Sequence, residues 1–102
     1  MSALGTEFKL NIHLEPIDGL HMSGYDFEVD LYVYTNKRVT FSKMDMKKVD
    51  DDNYLIIVTT ADAMKIGRGK INAEVRAYIP DGDFPDGTRT EVLLLCTNQV
   101  VV

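Results

Sequence analysis

The chain has 102 residues, 45% of them hydrophobic and 26% charged, with a net charge of −5. One domain of this size buries roughly two-thirds of its unfolded surface and needs neither a disulfide nor a metal to hold a core. The acidic balance argues against sequence-independent nucleic-acid binding, which needs a basic footprint to displace counterions. Cys96 is the only cysteine, so an intrachain disulfide is excluded and a reducing compartment is expected. No apolar run approaches the length of a membrane span, and the first residues lack the basic start and apolar stretch of a signal peptide. A soluble protein with no membrane partner is therefore expected, one domain over 1–102 with residues 1–6 flexible.

Residues 7–15 alternate strictly, with Phe8, Leu10, Ile12 and Leu14 on one face and Lys9, Asn11 and His13 on the other. That period of two is a half-buried strand. Residues 16–24 hold two glycines and a proline and read as a loop. Alternation resumes over 27–34, with Phe27, Val29, Leu31 and Val33 inward and Glu28, Asp30, Tyr32 and Tyr34 outward. Asn36, Lys37 and Arg38 form a turn, and a short strand follows over 39–42. Residues 43–52 lack a helical apolar stripe and read as a loop or ragged edge strand.

The β-branched and aromatic run 53–60 is a strand with Tyr54, Ile56 and Val58 on one face. Residues 61–66 fit one helical turn before Gly67, too short to hold without tertiary contacts. The longest alternation, 69–79, places Ile71, Ala73, Val75, Ala77 and Ile79 inward. The Pro/Asp/Gly loop 80–87 leads into a strand over 88–97, and Val100, Val101 and Val102 form a tail suited to pairing at an edge. Short strands with turn signals between them predict an all-β, antiparallel, immunoglobulin-like sandwich of about seven strands.

Catalytic chemistry is not legible. Asp81, Asp83 and Asp86 share one glycine-rich loop, and oxygen clusters bind Ca²⁺, but Pro85 stands where a third ligand is needed and no bidentate glutamate follows at EF-hand spacing. The same residues serve a tight turn for backbone reasons. Asp50, Asp51 and Asp52 read as a solvated loop tip that discourages edge pairing. Lys37, Arg38, Lys43, Lys47 and Lys48 offer a basic segment without interleaved aromatics. His13 and His21 have no partner at metal-ligand spacing, Cys96 sits in an apolar run, and Ser2, Ser23 and Ser42 fall in no nucleophile motif. Gly67-Arg68-Gly69 precedes a strand rather than a helix and so is not a phosphate loop. Neither cofactor nor metal is expected. Tyr32 and Tyr34 suit an interface, where the ring buries and the hydroxyl stays wet, or cross-strand packing.

Several phrases carry a family resemblance: the opening alternating strand, Phe27-Glu28-Val29-Asp30-Leu31, Tyr54-Leu55-Ile56-Ile57-Val58, the Thr60-Ala61-Asp62 turn, Gly67-Arg68-Gly69-Lys70-Ile71, and most specifically residues 79–91. Together they resemble the small β-sandwich domain at the start of phage baseplate upper proteins and its relatives from Bacteroides-type prophages. The resemblance implies a non-enzymatic structural or adaptor module, made in the bacterial cytoplasm and associated with a virion, that docks on itself or on a larger tail protein. Contact through Tyr32 and Tyr34 or through the edge at Val100, Val101 and Val102 is expected. Two rival readings are a carbohydrate- or small-ligand-binding sandwich using Tyr25, Tyr32, Tyr34 and Tyr78, and an enzyme using a metal at the Asp81/Asp83/Asp86 loop.

Overall fold

A computed structural model describes residues 3–34 and 38–102, apart from the side chains of residues 96 and 98. The expected turn residues Asn36 and Lys37, Ser2 and the Cys96 side chain thus lie outside the described residues. The elements are β1 (Phe8–His13), β2 (Asp26–Tyr32), β3 (Arg38–Ser42), β4 (Lys47–Lys48), β5 (Asn53–Val58), α1 (Thr60–Ile66), β6 (Gly69–Pro80) and β7 (Thr88–Val101), with 3-10 turns at Met22–Gly24 and Lys43–Asp45. They form two antiparallel sheets, ordered β1-β5-β4 and β3-β2-β6-β7, packed as an all-β sandwich.

The inward faces expected from alternation are the ones that bury. Phe27, Val29 and Leu31 on β2, Tyr54, Ile56 and Val58 on β5, and Ile71, Ala73, Val75, Ala77 and Ile79 on β6 form the core. Phe27 stands beside Ala77 across the β2–β6 ladder, large against small, and meets Tyr54 edge-on at 5.0 Å between ring centroids. The small helix α1 extends the expected turn by one residue. Thr59 caps it by accepting from the Asp62 backbone N–H, and Gly67 ends it at φ +91°. Gly69 is required by crowding as well as by its φ of +130°, since a Cβ there would stand 2.7 Å from Val33 Cγ1.

The structure differs from the sequence reading in several places: Arg38, expected in a turn, opens β3, and the strand expected over 53–60 stops at Val58, with Thr60 opening α1. The loop 16–24 contains a two-residue turn at Asp18 and Gly19, both at positive φ, closed by a bridge between Ile17 and Leu20. An Asp-Gly pair favours that geometry because both central residues must enter the left-handed region. The tail also does not stand apart from the preceding strand. β7 runs 14 residues, with Val100 opposite Lys70 and Val101 opposite Gly69, and the ladder shifts register between Lys70 and Asn72, where β7 bulges.

How the chain passes between the sheets sets what the molecule leaves open. β3 and β4 are the outermost strands of their sheets on one side, and the Lys43–Asp45 turn joins them directly. Ser42 and Asp45 form a reciprocal capping pair there, and Lys43 Nζ donates to the backbone carbonyls of Ser23 (2.8 Å) and Tyr25 (2.6 Å). The chain itself seals that side. On the other side β1 and β7 are outermost, and the link between their ends is the Leu4 N–H donating to the Val102 carbonyl.

Val75 is fully buried on β6, level with Val29 and Leu93 of its two neighbours. Val75→Asp places an unpaired charge among these side chains. A loss of more than about 3 kcal/mol is expected, a large part of the roughly 5–15 kcal/mol that such a domain commands. Urea denaturation followed by circular dichroism measures it, and near wild-type stability would contradict the assigned inner face.

Candidate interaction surface

The outer face of the four-stranded sheet divides into an ionic half and an apolar half. On the ionic half, cross-strand register puts Asp30 opposite both Thr40 and Glu74, and Glu28 opposite Arg76. Two carboxylates facing each other directly would repel; two arginines bridge them. Arg76 donates to Asp30 at 2.7 and 2.9 Å, to Glu74 at 2.8 Å and to Glu28 at 3.1 Å. Arg38 donates to Glu74 at 2.6 Å and to Asp30 at 3.2 Å, and its guanidinium lies 4.4 Å above the Tyr32 ring. Thr40 and Tyr78 complete the set, donating to Asp30 (2.6 Å) and Glu28 (2.5 Å). Asp30 is 4% exposed under this cover. Hydrogen bonds from Arg76, reinforced by Thr40 and Arg38, outweigh its burial and hold its carboxyl at about 2, below the usual 3.8.

The apolar half is β7. Residues 92–102 carry no charged side chain. Val92 and Leu94 point away from the core and are 51% and 70% exposed, whereas Leu93 and Leu95 point inward and are partly buried against the core. Beyond β7, on the open side, lies a groove of about 420 Å³ lined by Leu10, Asn11, Ile12 and His13 of β1 and by Leu95, Thr97 and Gln99 of β7. Free strand edges are usually blunted by charge, proline or brevity. The β4 edge follows that rule, being two lysines long. The β7 edge carries Arg89 and Glu91 near its start and a bulge near its end, but the stretch between them, residues 92–96, has neither charge nor proline.

The sequence-derived site residues fall in different places. Tyr32 lies half-buried beneath Arg38, while Tyr34, beyond the end of β2, is 64% exposed. Tyr25 is buried with its hydroxyl on the Ile17 carbonyl, and Tyr78 is tied to Glu28, so the four tyrosines do not share one open platform. Val100 and Val101 pair with β6 on one side, and the Val102 carbonyl accepts from Leu4. Asp81 accepts from the Asp83 backbone N–H within its own loop and approaches Arg89, which also pairs with Asp18. Among the described residues no three His, Cys, Asp or Glu side chains come together as metal ligands.

The aspartate run 50–52 does more than sit in solvent. Asp50 accepts from Asn53, Asp51 from Lys48 and Ser23, and Asp52 contacts His21 at 2.6 Å. That contact raises the His21 pKa, and hydrogen bonds to Asn53 and Glu15 raise that of His13. Of the basic segment, Arg38, Lys43 and Lys48 are engaged as described, and Lys37 lies outside the described residues. The Val92/Leu94 pair lies within the alternation of 88–97, but alternation says which residues share a face and not which face is left uncovered.

The depressed Asp30 carboxyl gives a signed expectation. A group whose folded pKa is lowered contributes stability above its unfolded value, near 3.8, and loses it as pH falls toward about 2. Asp30→Asn is expected to cost on the order of 2–3 kcal/mol at pH 7, and the gap to wild type should close as pH falls from about 4 to 2. Urea titrations at pH 7 and pH 2.5 measure the gap, and an unchanged gap would contradict the assigned network.

Comparison with protein-family models, with curated proteins and with solved structures finds no match for this chain.

Proposed function

We propose that this chain is a non-enzymatic protein-interaction module that binds by adding a partner's strand to the free edge of β7. The observation that carries it is the contrast between the two sides of the sandwich. One side is sealed by the β3–β4 crossover, and the other presents an edge uncharged over residues 92–96, with Val92 and Leu94 exposed beside an open groove. Strand addition takes its affinity from main-chain hydrogen bonds and its selectivity from alternate side chains. An added strand here would set one row of side chains over the groove, against Leu10, Ile12 and Leu95, and the other beside Leu94. The setting we propose is the one implied by the resemblance of residues 79–91 to baseplate domains, a tail or baseplate assembly in which small sandwiches join one another or a larger protein. The ionic half of the sheet face then forms a polar border to the contact, and Arg76 and Glu74 stand next to Val92 and Leu94 in register.

Site-specific photo-cross-linking in the native host tests this. A photoreactive residue at position 94 is expected to give discrete protein adducts, and one at position 57, also exposed (54% against 70%) but on the outer face of the three-stranded sheet, is expected to give none. No adduct at 94, or equal adducts at both positions, would overturn the reading.

A further inference from the structure

Resting on that reading, we propose that the strand added to β7 is β7 of a second copy, paired antiparallel about a two-fold axis at Leu94. Self-complementarity singles out this pairing. An antiparallel pair centred on Leu94 sets Leu94 against Leu94 on the outer face and Leu93 against Leu95 on the inner face, so that apolar side chains meet on both. Registers shifted toward the start of β7 bring in its charges, and one centred on Leu95 sets Leu93 against the polar Thr97. Centring on Val92 sets Glu91 against Leu93 and Arg89 against Leu95, and centring on Leu93 sets Glu91 against Leu95, burying a charge against a leucine. With the axis at Leu94, Val92 falls opposite Cys96, and Glu91 and Arg89 lie outside the paired stretch, so no charge opposes a like charge.

Charge selects the same edge. The chain carries −5, so copies repel where their acidic surfaces approach. Residues 92–102 are the stretch where two copies meet without that cost. The β-bulge between the pairings at Cys96 and Val100 interrupts the regular ladder, so new pairing is confined to residues 92–96 of each copy. An isologous contact of this kind uses each β7 edge once and closes as a dimer rather than a filament. The four-stranded sheets then join into one sheet of eight, and the groove beside each β7 is roofed by the partner's inward leucines.

Sedimentation equilibrium and oxidative cross-linking test the proposal. Wild-type protein is expected to dimerise with rising concentration. Leu94→Lys should sediment as a monomer and keep the Tm of dilute wild type, because Leu94 is 70% exposed in the single chain and the substitution removes no core contact. For the register, Leu94→Cys in a Cys96→Ser background should form a cross-linked dimer under dissolved oxygen, since directly opposed residues lie within disulfide range. Val92→Cys in the same background, lying away from the axis, should cross-link at least tenfold more slowly. A strict monomer at high concentration, a dimer that survives Leu94→Lys, or equal cross-linking at 92 and 94 would each overturn the proposal. A strict monomer that still gives adducts with a different protein from position 94 overturns self-pairing and leaves strand addition standing; a monomer with no adducts removes both.

Discussion

A two-layer sandwich has two long sides to close, and this chain closes one of them. The short passage from β3 through Lys43–Asp45 to β4 carries the chain from one sheet to the other at their outer edges. Lys43 fixes that passage by donating to two carbonyls of the segment entering β2, with its ammonium 5.6 Å from the centroid of the Phe27 ring. Among the described residues no comparable passage joins β1 and β7. Their main chains end the two sheets on the other side, and backbone groups at a sheet edge must find partners in water or in another chain. The groove lined by Leu10, Ile12 and Leu95 follows from the same topology, because the inward faces of two outermost strands have no side chains beyond them to pack against.

The outer face of the four-stranded sheet shows how differently the two halves meet solvent. Over β2, β3 and β6, five charged side chains interlock so that Asp30 can be almost fully covered while each of its carboxylate oxygens accepts from a donor. Arg76 is central because its planar fork reaches three carboxylates at once, which a lysine ammonium on a flexible stem does not reproduce. One strand further on, the same face carries valine and leucine without cover. Buried ionic networks contribute little net stability compared with well-packed apolar side chains, yet they are costly to disturb by halves. The network therefore holds the register of β2, β3 and β6 while leaving β7 the apolar border.

Much of this was legible in the residues. Strict alternation over 69–79 identified the inner face of β6 side chain by side chain, because a period of two admits no other sharing of faces once one face is apolar. The weak helix before Gly67 was legible from its glycine stop and its Thr-Ala-Asp start. The Asp18-Gly19 dipeptide is a turn signal in its own right within the loop 16–24. What could not be read was pairing. Nothing local says that Asp30 stands opposite Glu74, or that Val100 and Val101 continue β7 past a bulge instead of forming a separate edge, since each depends on which distant strand lies alongside. The candidate surface was hidden for the same reason. Val92 and Leu94 become notable only once β7 is known to be outermost.

Concentration-dependent amide hydrogen exchange, resolved by residue, tests the central claim that the β1/β7 side is open and seeks a strand. In dilute solution, alternate amides over residues 92–96 should exchange quickly, because those pointing away from β6 have no partner, while their neighbours on the β6 side are protected. Raising the protein concentration should slow the fast set and leave the amides of Lys47 and Lys48 on the opposite side unchanged. Uniform protection along 92–96 at every concentration would show that the β7 edge is already satisfied within one chain, and would contradict the account.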